Sequence, residues 1–114
     1  MTTIYKICER KQWADAEREG SFRGSAVDYA DGYIHFSTAA QAPGTAGKHF
    51  AGMTDLVIVA VDADALGKAL KWEPSRGGAV FPHLYAPLPL TAVRWVKPIR
   101  MDDDGRHMLP RLEG

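Results

Sequence analysis

The apolar positions of this chain fall mainly in short runs with strand character. Asp55-Leu-Val-Ile-Val-Ala-Val-Asp62 is an apolar, β-branched block between two carboxylates, the pattern of a strand buried on both faces. Thr3-Ile-Tyr-Lys-Ile-Cys8 reads as an opening strand, its facing clearer at Tyr5 and Ile7 than at Ile4 and Cys8. Residues 9–19 are rich in good helix formers and run into Gly20, the expected left-handed stop, with Trp13, Ala14 and Ala16 on the buried stripe. Residues 21–31 lack periodicity and read as a loop carrying Tyr29.

Asp31-Gly-Tyr-Ile-His-Phe-Ser-Thr38 then threads a histidine and two hydroxyls through a strand-like run. Strand side chains alternate, so Tyr33, His35 and Ser37 should face one way and Ile34, Phe36 and Thr38 the other. Thr38 is placed to cap a helix, with Gln41 three residues on as a capping box requires. Pro43 and Gly44 weaken its first turn, so the regular helix is expected from nearer Thr45. Further on, 63–69 reads as one helical turn, 70–73 as a short strand ending at Pro74, and 75–78 as a loop. An irregular strand interrupted by Pro82 follows over 79–85, then a strand over 90–96 leading to Pro98. The acidic run after Met101, followed by Arg106 and His107, reads as a mobile or weakly docked end. Short strands mixed with two or three short helices predict an α+β fold, not a doubly wound parallel sheet. The expected organisation is one domain over 1–100 and a tail over 101–114.

A length of 114 residues fits one domain. With 14 basic and 14 acidic residues there is no net charge, so no basic stripe for duplex nucleic acid is expected. A local phosphate pocket needs only one or two cations. Cys8 is the only cysteine and cannot form an internal disulfide. No leader and no membrane-length apolar run is seen, so a cytoplasmic, membrane-free protein is the expectation. The dinucleotide fingerprint and the phosphate loop are both missing.

The candidate chemistry gathers in two stretches, the one around His35 and Trp72-Glu-Pro-Ser-Arg-Gly-Gly-Ala-Val-Phe-Pro-His-Leu-Tyr85. His35 can donate to a hydroxyl, hold a phosphate or move a proton near neutral pH. Glu73, fixed between Trp72 and Pro74, can orient or deprotonate a hydroxyl, so His35 and Glu73 are the catalytic candidates. Ser37 is a ligand-binding candidate, whereas Thr38 reads better as a cap. Arg76 before Gly77-Gly78 is a plausible anion fork. His83 and Tyr85 share a strand face and can stack on and bond a planar ring. His49 reads as a helix-surface residue, and Trp13, Trp72 and Trp95 as core aromatics. The four histidines lack zinc-ligand spacing, so no metal site is expected.

Ile4-Tyr-Lys-Ile7, Trp13-Ala-Asp-Ala16 before Gly20, Asp31 to Thr38 with Gln41, Trp72-Glu73, Arg76-Gly-Gly78 and Phe81-Pro-His-Leu-Tyr85 together resemble a small, mostly bacterial family known as a domain of unknown function. That resemblance implies an ADP-ribosylation type of fold, two small antiparallel sheets meeting at a cleft with short flanking helices. Tyr5, Trp13, Gly20 and His35-Phe-Ser37 are also similar to positions in RNA 2′-phosphotransferases, although Lys6 stands where those enzymes place a histidine. The implied activity is transfer of a group from or to a nucleotide-type ligand, with NAD or a related nucleotide as cofactor or substrate. A noncatalytic nucleotide-binding or partner-binding domain explains the same residues, and a purely structural domain remains a third reading.

Overall fold

The computed structural model describes residues 2–114, and of Arg76 the backbone. Its frame is an antiparallel sheet in which β1 (Thr3–Glu9) pairs with β4 (Leu56–Asp62), β4 with β8 (Val93–Met101), and β8 with β9 (His107–Met108). The β1–β4 register sets Ile4 opposite Val61 and Glu9 opposite Leu56. Both faces of this pair are covered, which is why 56–61 can be apolar at every position.

One face holds Ile4, Cys8, Val57, Val59 and Val61. Against it pack Trp13 and Ala16 of α1 (Arg10–Glu19), Phe22 of β2 (Ser21–Phe22), Ile34 of β3 (Ile34–His35), and Phe36. The other face holds Tyr5, Ile7, Leu56, Ile58 and Ala60, covered by Ala42 and Ala46 of α3 (Ala42–His49). The last residues lie on this second face: Leu109 and Leu112 pack there, and the Tyr5 hydroxyl donates to the Glu113 carbonyl at 2.7 Å.

A second antiparallel sheet has the order β3, β6 (Ala79–Leu84), β5 (Leu70–Ser75). A two-residue pairing joins β2 to β7 (Leu88–Pro89). The sheets are stitched at Tyr5 and Ser37, which exchange backbone hydrogen bonds at 2.8 Å in each direction. The expected α+β class, with antiparallel sheets and short helices, is what is found.

Several boundaries differ from the sequence expectation. Residues 21–31 are not a loop: they form β2 and the six-residue helix α2 (Ala26–Asp31). The strand expected over 90–96 begins only at Val93, after a 3₁₀ turn over Leu90–Ala92, and runs through Pro98 to Met101. Pro98 is tolerated because β9 pairs only with Arg100 and Met101, leaving the outer side of β8 unpaired at that point. Likewise β5 continues past Pro74 because it is an edge strand. Helix α3 starts at Ala42, with Pro43 in its first turn, where a missing N–H costs nothing. Trp72 is not a core residue; it is 45% exposed.

The helix from Arg10 ends as expected, at Gly20 with φ 90° and its N–H bonded to the Ala16 carbonyl. Cys8 is buried in the main core, and burial pushes its thiol up to about 12. Its protonated form is favoured by the fold, so its contribution to stability is complete below about pH 8.5 and is lost as pH rises from there through about 12. A disulfide-exchange reagent should therefore label Cys8 only as fast as the protein opens; rapid labelling of the folded protein at pH 8 would contradict this burial.

Candidate functional site

A lysine enters the main core. Lys6 lies between Ile4 and Cys8 on the same face of β1, and its side chain is 5% exposed. Its ammonium is 2.9 Å from Asp28 Oδ2 and 3.1 Å from Oδ1, and the Asp28 side chain is 1% exposed. An isolated charge in this position would be prohibitively costly, so the pair is obligatory.

Local structure delivers Asp28 to that point. It occupies the third position of α2, and its Oδ2 accepts from the Ser25 backbone N–H at 2.7 Å and from the Ser25 hydroxyl at 3.1 Å, a capping box. Its Oδ1 accepts from the His35 backbone N–H at 3.0 Å and lies 2.6 Å from His35 Nδ1. Burial pushes the Asp28 carboxyl upward, but the His35 hydrogen bond, the Lys6 charge and the Ser25 N–H outweigh it. The group is held well below the usual carboxylate range.

The other nitrogen of His35, Nε2, is 2.9 Å from Asp31 Oδ2 at the end of α2. Both carboxylates accept, so each can take a hydrogen bond from the ring. In the β3–β6 register His35 sits opposite His83, with ring centroids 5.5 Å apart. His83 Nδ1 is 2.8 Å from Glu73 Oε1, and the Tyr85 hydroxyl donates to that same oxygen at 2.8 Å. These bonds, from His83 first and then Tyr85, lower the Glu73 pKa, while the Tyr85 phenol is raised chiefly by its bond to Glu73.

Tyr33 covers both histidines. Its ring stacks on His83 at 4.1 Å, lies 4.5 Å from His35, and reaches Tyr85 at 5.2 Å. Burial and the nearby Asp31, Glu73 and Asp28 raise its phenol. Tyr33 and Tyr85 also line an open cleft of about 340 Å³, together with Arg23, Asp28, Tyr29 and Pro87, while the two histidines lie behind Tyr33 and outside that lining.

His35, Glu73, His83 and Tyr85 are therefore brought into one connected cluster. Ser37 is placed differently: it is buried and its hydroxyl is 2.7 Å from Thr45 Oγ1. Thr38 and Gln41 exchange reciprocal bonds at 3.1 and 3.2 Å, as a capping box should, and the Gln41 amide also donates to the Val80 carbonyl. The anion-binding role expected of Arg76 rests on a side chain outside the described residues. Sequence reasoning missed Lys6, Asp28, Asp31 and Tyr33 as site residues. One signal for Asp28 was available: Ser25 followed by an acidic residue three positions on. Among the described residues no group of three or more His, Cys, Asp or Glu is arranged to hold a metal ion, and no helix is long and apolar enough to cross a membrane.

Fold and site together define a small α+β protein whose three-stranded sheet carries a cluster of histidines, carboxylate and tyrosine. The chain belongs to the family described as "Protein of unknown function (DUF952)", whose model matches residues 7–96. It is similar to the crystal structure of protein CC0527 from Caulobacter crescentus, at 51% identity over 94% of each chain and a TM-score of 0.90. The solution NMR structure of CC0527 matches at 53% identity, 93% of this chain and 91% of that one, with a TM-score of 0.83. None of the curated proteins compared matches this chain.

Proposed function

We propose that the cleft takes a nucleotide-type ligand, and that His35 and His83 move protons on it during a group transfer of the ADP-ribosyl or phosphoryl kind. On this reading the two sheets form an ADP-ribosylation-like cleft. The observation that carries it is the histidine pair itself. Two imidazoles lie in register on adjacent strands, each with Nδ1 fixed by its own carboxylate, against the ring of Tyr33, which lines the cleft.

That arrangement divides the work between the rings. His83, bonded through Nδ1 to Glu73, keeps Nε2 as a basic nitrogen for an acceptor hydroxyl. His35 donates from Nε2 to negative charge growing on a hydroxyl or phosphate once a ligand takes the place of Asp31. Glu73 and Asp28 are positioning residues, fixing ring orientation and charge.

The noncatalytic alternative has one observation in its favour: Asp31 Oδ2 already engages His35 Nε2 at 2.9 Å. A thermal-shift screen with NAD, ADP-ribose, nucleoside phosphates and 2′-phosphorylated nucleosides, followed by product analysis with the ligand that binds, separates the readings. Glu73→Gln should leave the shift in place but cost about 10²-fold in turnover, because His83 loses the charge that orients it. A shift without turnover in the wild-type protein would establish the binding domain. No shift with any of these compounds would overturn the nucleotide reading.

A further inference from the structure

A nucleotide site needs an anchor for phosphate, and the cleft supplies one. Arg23 lines it, and among the described residues it is the only arginine or lysine in the cleft wall. No ion pair among the described residues engages its guanidinium. Asp28, the one carboxylate among the described lining residues, is already engaged by Lys6, Ser25 and His35 and does not compete for it.

The backbone beneath Arg23 is rigidly held. Phe22, just before it, is buried, pairs with Leu88 in the β2–β7 ladder, and packs against Trp13 at 5.6 Å. This pairing sets Arg23 beside the lip formed by Ala86 and Pro87. A guanidinium anchored at its base but unpaired at its head is suited to a bidentate anion, and Tyr29, Tyr33 and Tyr85 line the same cleft with aromatic surface for a planar ring. The volume of about 340 Å³ is at the lower end of the roughly 300–1,000 Å³ of small-ligand sites, enough to hold one nucleoside unit against its walls.

Resting on the nucleotide reading above, we infer that the ligand is a nucleoside monophosphate, its phosphate held by Arg23 and its base against the tyrosines. A dinucleotide such as NAD is then a poor fit. The test is a thermal-shift and calorimetric series on the whole protein, using the common nucleosides, their 2′-, 3′- and 5′-monophosphates, inorganic phosphate and NAD. At least one monophosphate should bind about tenfold or more tightly than its nucleoside, and Arg23→Gln should remove that increment while keeping the nucleoside's own affinity. Arg23→Lys should recover only part of it, because an ammonium replaces the fork.

Equal binding of nucleoside and monophosphate, or an increment that survives in Arg23→Gln, would overturn the role of Arg23 and leave the nucleotide cleft standing. Tighter binding of NAD than of any monophosphate would overturn the single-nucleoside assignment. No binding by any probe would overturn both this inference and the reading on which it rests.

Discussion

Asp28→Asn should destabilise the protein by about 3–5 kcal/mol, the largest loss expected from any single polar substitution here. Asparagine keeps the shape of the side chain but removes the charge that lies 2.9 Å from the Lys6 ammonium in a site closed to water. The variant must therefore bury an uncompensated cation, deprotonate the lysine, or open the core. Lys6→Met should cost less, because Asp28 still accepts from Ser25 and from both nitrogen donors of His35. The double variant should recover about 0.5–3 kcal/mol relative to Asp28→Asn, as coupled partners do. Urea unfolding of the four proteins measures all of this. Additive losses would show that Lys6 and Asp28 do not act as a pair.

The same carboxylate sets an acid limit. The folded-state pKa of Asp28 lies below its unfolded value near 3.9, so its contribution is fully present above about pH 4 and is lost as pH falls through the folded-state value. Stability of the wild-type protein should fall between about pH 5 and pH 2 more steeply than that of Asp28→Asn, which has no proton to take up at this position. Parallel pH profiles would remove Asp28 as the source. Glu73, also lowered, adds to the acid loss in both proteins, so the difference between them isolates Asp28.

What could be read from the sequence follows from where apolar side chains point. β4 and β1 were legible because every central position is buried, and α1 was legible because Gly20 closes it with a left-handed residue. Helix α2 was not, because its pattern is inverted. Val27 and Tyr29 are 54% and 66% exposed, and its buried residue is Asp28. A search for an apolar stripe finds nothing in such a segment. The Lys6–Asp28 pair was equally hidden: a lysine in a strand reads as a solvent-facing residue unless its partner, 22 positions away, is known to meet it. The histidines fared better. His35, His83 and Tyr85 could be proposed from residue type and strand alternation alone, and Glu73 from its fixed neighbours, and the four do converge. Ser37 shows where alternation fails: the ladder of β3 ends at His35, and two residues later the hydroxyl turns to Thr45.

The dependence of the site on backbone, not only on charge, is sharpest at Gly24. This residue has φ +121°, and a Cβ placed on it would lie 2.8 Å from the Cβ of Asp28 and 3.2 Å from its Oδ2. The nearest atom sits at the root of the Asp28 side chain, so no rotamer change relieves the clash and helix α2 must shift. Gly24→Ala should cost about 2–5 kcal/mol, summing backbone strain and overpacking. Gly20→Ala is the control: its φ is also positive, at +90°, but no atom lies within 4 Å of the new Cβ, so only about 1–2 kcal/mol of backbone strain is expected. The two substitutions should also differ in what they do to His35. Moving α2 pulls Asp28 and Asp31 off the imidazole together, so the ring NMR signals of His35 should change in Gly24→Ala and stay as they are in Gly20→Ala. Equal losses of stability with an unchanged His35 in both would mean that the contact between Gly24 and Asp28 does not hold the site in place. An altered His35 in Gly24→Ala alone would make that glycine a positioning residue for the histidine pair, acting through a helix whose only buried side chain is the aspartate.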